Sequence, residues 1–127
     1  MIRKTLLAGL LCLSSLSPAQ AAPGAEPAAQ PKAYLIAEIA VHDAASYERY
    51  KAAVPPLVAQ FGGRYLTRGG ASEALEGDSV KGRVVVLEFP TVAAARSFMQ
   101  SAAYRPVAAI RHKAAASRVI LVEGVVP

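Results

Sequence analysis

An α+β fold of the ferredoxin-like kind, βαββαβ with an antiparallel sheet, is predicted by three observations. Four strand-like runs lie at Ala33–Val41, Arg64–Arg68, Arg83–Phe89 and Ser117–Glu123. Helical periodicity fills the gap after the first run and the gap after the third. Turn signals, Gly62-Gly63, Gly69-Gly70 and Lys81-Gly82, punctuate the rest. That order is the split βαβ arrangement.

The first run, AYLIAEIAV, is too short and too rich in Ile, Leu and Val for a surface helix, and turn chemistry follows it. Leu35, Ala37, Ile39 and Val41 share one face; Tyr34, Ile36, Glu38 and Ala40 share the other, which is apolar but for one carboxylate. Asp43 is a suitable N-cap for the helix that follows. Tyr47, Tyr50, Val54, Leu57, Val58 and Phe61 make its inner stripe. Pro55-Pro56 sits inside that stripe, and the lost amide donors predict a kink or a restart there. Gly62-Gly63 stops the helix.

RYLTR alternates and reads as the second strand; ASEALEGD, residues 71–78, reads equally as a short edge strand or a loop. RVVVLEF is the clearest strand in the chain. Thr91 caps a second helix with Val92, Ala95, Phe98 and Met99 inside, and Ser101 caps a further segment through Tyr104, Val107 and Ile110 to about Ala114. SRVILVE closes the fold, and Gly124 ends it. Two helices cover one face of such a sheet, yet both faces are apolar enough to be buried. Two sheets packed face to face between two copies of the chain would satisfy that, so a homodimer through the sheet face is expected.

The chain of 127 residues is one domain at most. Residues 1–21 read as a cleavable signal peptide: Arg3 and Lys4, an apolar run to Leu16, and a small-x-small site at Ala19-Gln20-Ala21. The apolar run is well short of the roughly 20 residues that span a bilayer. A periplasmic or secreted product is therefore expected, with no membrane association after cleavage. Residues 22–31, rich in Pro and Ala, read as a flexible linker, and residues 32–125 as the domain. Cleavage removes Cys12, the only cysteine, so the product carries no disulfide. It also removes two of the 14 basic residues and none of the nine acidic ones, which lowers the net charge from +5 to +3. With the basic residues scattered, nucleic acid is not an expected partner.

The segments YERYKAAVPPLVAQFGGRYLTRGG, LEGD, RVVVLEFPTVAAARSFMQSAAYRPVAAIR and SRVILVEG resemble the bacterial domain of unknown function 1330 family over essentially residues 32–124. The resemblance implies a dimeric α/β barrel, two ferredoxin-like protomers joined through their sheets. It also places the chain beside cofactor-free monooxygenases, muconolactone-type isomerases and haem-degrading enzymes, although a shared fold does not carry function across. Two departures stand out. Many members have a Trp and then a Pro after the Gly-Asp pair, where this chain has Ser79 and Val80, and most members lack a signal peptide.

Six residues are candidates for a ligand pocket between sheet and helices. Glu38 and Glu88 each stand in a strand opposite an all-apolar set, so they point to the barrel lumen or the dimer interface. There they are either a general base with a raised pKa or a structural ion pair, with Arg64 or Arg68 as the candidate partner. Arg64 and Arg68, beside paired glycines, suit either an anionic ligand or an exposed strand edge. Tyr47 and Tyr50 are core residues with hydroxyls that need partners, or a proton relay. His42 and His112 read as surface or capping residues. No metal pattern, nucleophile elbow or dinucleotide loop occurs, no cofactor is expected, and no catalytic residue is assigned. A homodimeric small-molecule-binding domain, for a small organic or anionic ligand, is the function these features favour. The alternatives are a cofactor-independent enzyme of monooxygenase or isomerase type and a structural or partner-binding module.

Overall fold

The computed structural model describes Gly24 and residues 28–127. The expected signal peptide and most of the linker therefore lie outside the described residues. The elements run β1 (Ala33–Val41), α1 (Ala44–Gln60), β2 (Arg64–Arg68), β3 (Arg83–Phe89), α2 (Val92–Gln100), α3 (Tyr104–Ala114) and β4 (Ala115–Glu123). The strands form one antiparallel sheet in the order β2-β3-β1-β4. This is the ferredoxin-like arrangement, with the second helix of the pattern broken into α2 and α3. Residues 71–81 contain no strand and are exposed almost throughout, which settles the ambiguous segment as a loop.

The caps fall where the side chains dictate. Asp43 accepts from the Ser46 amide at 3.1 Å and Thr91 from the Ala94 amide at 3.0 Å. Ser101 accepts from the Tyr104 amide at 3.1 Å and so starts α3. Each such cap contributes about 1 kcal/mol. Tyr47, Tyr50, Val54 and Val58 form the buried stripe of α1. They pack on the β1 face that carries Leu35, Ala37 and Ile39 and on Val85, Leu87 and Phe89 of β3. Phe98 joins the layers: its ring centroid lies 4.3 Å from Tyr104 and 5.3 Å from Phe89.

Two features depart from the sequence expectations. Helix α1 is one continuous element through Pro55 and Pro56. A proline at 55 leaves the Lys51 carbonyl without its helical donor. Arg68, from β2, supplies the missing bond by donating to that carbonyl at 2.8 Å. The second departure is a bulge in β2, where the register with β3 shifts between Tyr65 and Thr67. Strict alternation puts Arg64 and Arg68 on the same face; the extra residue at Leu66 separates them. The Thr67 hydroxyl mends the ladder there, accepting from the Val86 amide at 3.0 Å and donating to the Val84 carbonyl at 3.3 Å.

The face of the sheet away from the helices is open in the single chain. Leu66, Ile120 and Val122 are 40–45% exposed there. No described helix is long and apolar enough to cross a membrane.

Candidate functional site

Between the sheet and the helices lies a cavity of about 40 Å³, measured by where the centre of a water molecule fits. Leu35, Val54, Leu87, Phe98 and Met99 form apolar walls. The polar groups are Tyr47, Tyr50, Tyr65 and Tyr104 with Lys51, Arg68, Arg83 and Arg111.

Arg111 is the central feature. It stands in the last turn of α3, is 4% exposed, and is the one buried charged residue among those described. Its Nη1 donates to the Tyr104 hydroxyl at 2.6 Å and to the Tyr50 hydroxyl at 3.2 Å, and its Nε donates to Ser117 at 3.1 Å. The two hydroxyls also lie 3.2 Å from each other. The carbonyl end of α3 favours a cation at this position. His112, its neighbour, lies 3.0 Å from Nη2 through its ring Nε2. The His42 side chain is exposed, at a junction where the amides of His42 and Asp43 both donate to the Ala114 carbonyl.

Arg68 and Arg83 complete the positive wall. The bulge turns Arg68 toward the cavity, with its guanidinium 4.8 Å from the Tyr65 ring centroid. Arg83 lies 5.3 Å from the centroid of Tyr47 and donates to the Arg68 carbonyl at 3.0 Å. Gly69 makes this possible: its φ is +73°, and a Cβ there would run into the Arg83 guanidinium.

The six expected site residues therefore divide. Tyr47, Tyr50 and Arg68 line the cavity. Glu38, Glu88 and Arg64 do not; they occupy the open face, and the sheet separates them from it. Glu88 accepts from Arg64 at 2.9 Å and from Lys32 at 3.0 Å. Those two hydrogen bonds, Arg64 first, hold its carboxyl below the ordinary glutamate range. A general base needs the opposite shift, so Glu88 is corrected to the ion-pair reading. Glu38 lies 3.8 Å from Arg118 and borders a shallow surface groove with Asp78 and Lys81. Sequence reasoning missed Arg83, Tyr104 and Arg111. Arg111 sits at helical spacing from Tyr104 and Ala108, on the inner face of α3, and that register was the available signal.

The cavity phenols are held protonated. Burial, with Tyr50 next, pushes Tyr104 well above 10.0. Burial also raises Tyr47 and Tyr65, against the opposing pull of nearby arginines. The unfolded chain releases such protons near pH 10. A pKa raised on folding means stability that is complete below pH 10 and is lost as pH climbs above it. The melting temperature is expected to be level from pH 7 to 9 and to fall above pH 10, less steeply in Tyr104→Phe. Equal slopes for the two proteins would exclude Tyr104 as a source.

A ferredoxin-like α+β domain with a tyrosine- and arginine-lined cavity under its sheet is the class that fold and site define. The chain belongs to the family described as Domain of unknown function (DUF1330), whose model matches residues 32–125. Among solved structures it is similar to the RPA0582 protein of unknown function from Rhodopseudomonas palustris. The identity is 21%, the TM-score 0.63, and the match covers 77% of this chain and 85% of that one. The methylated RPA0582 protein aligns at 20% identity and TM-score 0.62 over 77% and 84% of the two chains. SnoaB, a cofactor-independent oxygenase from Streptomyces nogalater, aligns at 18% identity and TM-score 0.49 over 72% and 91%. At these identities the likeness is one of fold alone. No curated protein matches the chain.

Proposed function

We propose that the chain is a small-molecule-binding domain whose ligand occupies the cavity between sheet and helices, and that it works as an exported homodimer. One observation carries the binding reading: a buried arginine and two buried tyrosines are hydrogen-bonded together on the wall of a cavity in an apolar core. A core that serves packing alone gains little from a buried cation, because its desolvation costs several kcal/mol. A structural module would instead fill that space with side chains. The test is a native mass spectrum of the purified protein together with thermal-shift screening against small organic compounds. Retained or stabilising ligand, lost in Phe98→Trp, which fills the cavity, is the expected result; indifference to every compound would overturn the reading.

Pairing through the open face rests on its apolar strand residues and on the charged groups at its two ends, Glu88 with Arg64 and Lys32, and Glu38 with Arg118. An uncovered patch of this kind is unusual in a monomer. Light scattering at micromolar concentration is expected to give twice the protomer mass, and a monomer would refute the pairing. Export rests on the sequence of residues 1–21, and N-terminal sequencing is expected to find Ala22 or Pro23 first. A cofactor-independent enzyme is the second reading, favoured by the same cluster, since prearranged donors stabilise charge that develops on a reacting oxygen. Turnover of a bound compound separates it from simple binding.

A further inference from the structure

We infer that the ligand of this cavity is a small organic carboxylate, bound with its anionic oxygens among Arg111, Arg83 and the Tyr47 hydroxyl and its apolar part against Leu35, Val54, Phe98 and Met99. The inference rests on the binding role proposed above and adds the chemical class. Its basis is a count of donors and acceptors. No Asp or Glu lines the cavity. Among the described residues, Arg68, Arg83 and Arg111 take part in no ion pair; those formed are Glu88 with Lys32 and Arg64, Glu48 with Lys51, and Glu38 with Arg118.

The unmet hydrogen-bonding capacity is chiefly that of donors. The Nε of Arg83 is buried and has no hydrogen-bond partner. Tyr50 and Tyr104 bring two hydroxyl protons, and their mutual bond uses only one of them. Arg111 consumes acceptor capacity on both oxygens and offers none. The Tyr47 side chain is 3% exposed, lines the cavity, and its hydroxyl enters none of these bonds. Arg83, Arg111 and Arg68 all pull on that phenol against the effect of burial, so the fields of all three arginines reach this one point. Apart from its neutral phenol oxygens the site presents donors and positive charge, with no carboxylate, and that fits a group that only accepts and carries negative charge. A carboxylate is such a group. The apolar walls favour an organic anion over inorganic phosphate, whose four oxygens would need partners on every side.

The experiment is titration calorimetry on the full mature protein with butanoate, benzoate, their uncharged amides, and inorganic phosphate. Each carboxylate is expected to bind at least ten-fold more tightly than its amide. Tyr47→Phe, which keeps the ring and the core volume, is expected to weaken the carboxylates about ten-fold, leave the amides unchanged, and keep the melting temperature. Amides that bind as well as carboxylates, phosphate that binds best, or a Tyr47→Phe variant with unchanged carboxylate affinity would overturn the carboxylate assignment while leaving a binding cavity in place. Failure of every probe, charged and uncharged, at millimolar concentration would overturn the cavity's binding role and the carboxylate assignment with it.

Discussion

Phe98→Ala is expected to destabilise the protein by about 3–5 kcal/mol, the range for removing a fully buried aromatic ring. The position is 1% exposed, and its ring touches aromatic rings from three other elements or their ends, Phe61, Phe89 and Tyr104. The loss is at the upper part of that range because the cavity already borders this ring. The new void joins an existing one, and the walls cannot collapse to fill it. A domain of this size is stable by only about 5–15 kcal/mol. Its melting temperature is expected to fall by roughly 12–40 °C, at 4–8 °C per kcal/mol. Differential scanning calorimetry decides the matter. A fall of less than about 5 °C would mean that the α2–sheet interface repacks, and with it that the cavity walls are not rigid.

The second large effect concerns Arg111→Met. Methionine keeps most of the volume and removes the charge. Affinity for a carboxylate is expected to drop by about two orders of magnitude, because truncating one member of a buried charged pair costs roughly 2–5 kcal/mol. Stability without ligand is expected to change in the opposite sense or hardly at all. Taking the guanidinium away removes a desolvation cost of several kcal/mol. The groups left behind remain satisfied: Tyr50 and Tyr104 keep their mutual hydrogen bond, and Ser117 is exposed to water. Chemical denaturation reads this directly. A fall of more than about 2 kcal/mol would identify Arg111 as a strut that holds α3 to β4, and the binding role would pass to Arg83 and Arg68.

The two variants divide the site into a scaffold and a charge. Phe98 shapes the cavity, and its loss damages the fold. Arg111 supplies the cavity's polarity, and its loss damages recognition. Functional groups commonly stand where they do not maximise stability, so the pair of outcomes separates a binding site from a polar knot in the core.

The order of elements, their caps and the inner face of each strand were legible in the sequence because they depend on neighbours two to four residues away. Asp43, Thr91 and Ser101 cap as their side chains demand, and Leu35, Ala37 and Ile39 go inward together because strand geometry alternates. Tyr47 and Tyr50 were found as buried polar residues by helical spacing alone. The contents of the cavity were decided by contacts between distant parts of the chain. The bulge at Leu66 sends Arg64 to Glu88 and Arg68 to the far side of the sheet, and one extra residue in a strand reverses every face beyond it. Arg68 then mends the helix that Pro55 would otherwise have broken, a bond across the fold that local propensity cannot foresee. In the sequence Arg111 is one more charge near a helix end, where cations are common. Only the packing of α3 against α1 buries it beside two tyrosines, and only there does it lack an acidic partner.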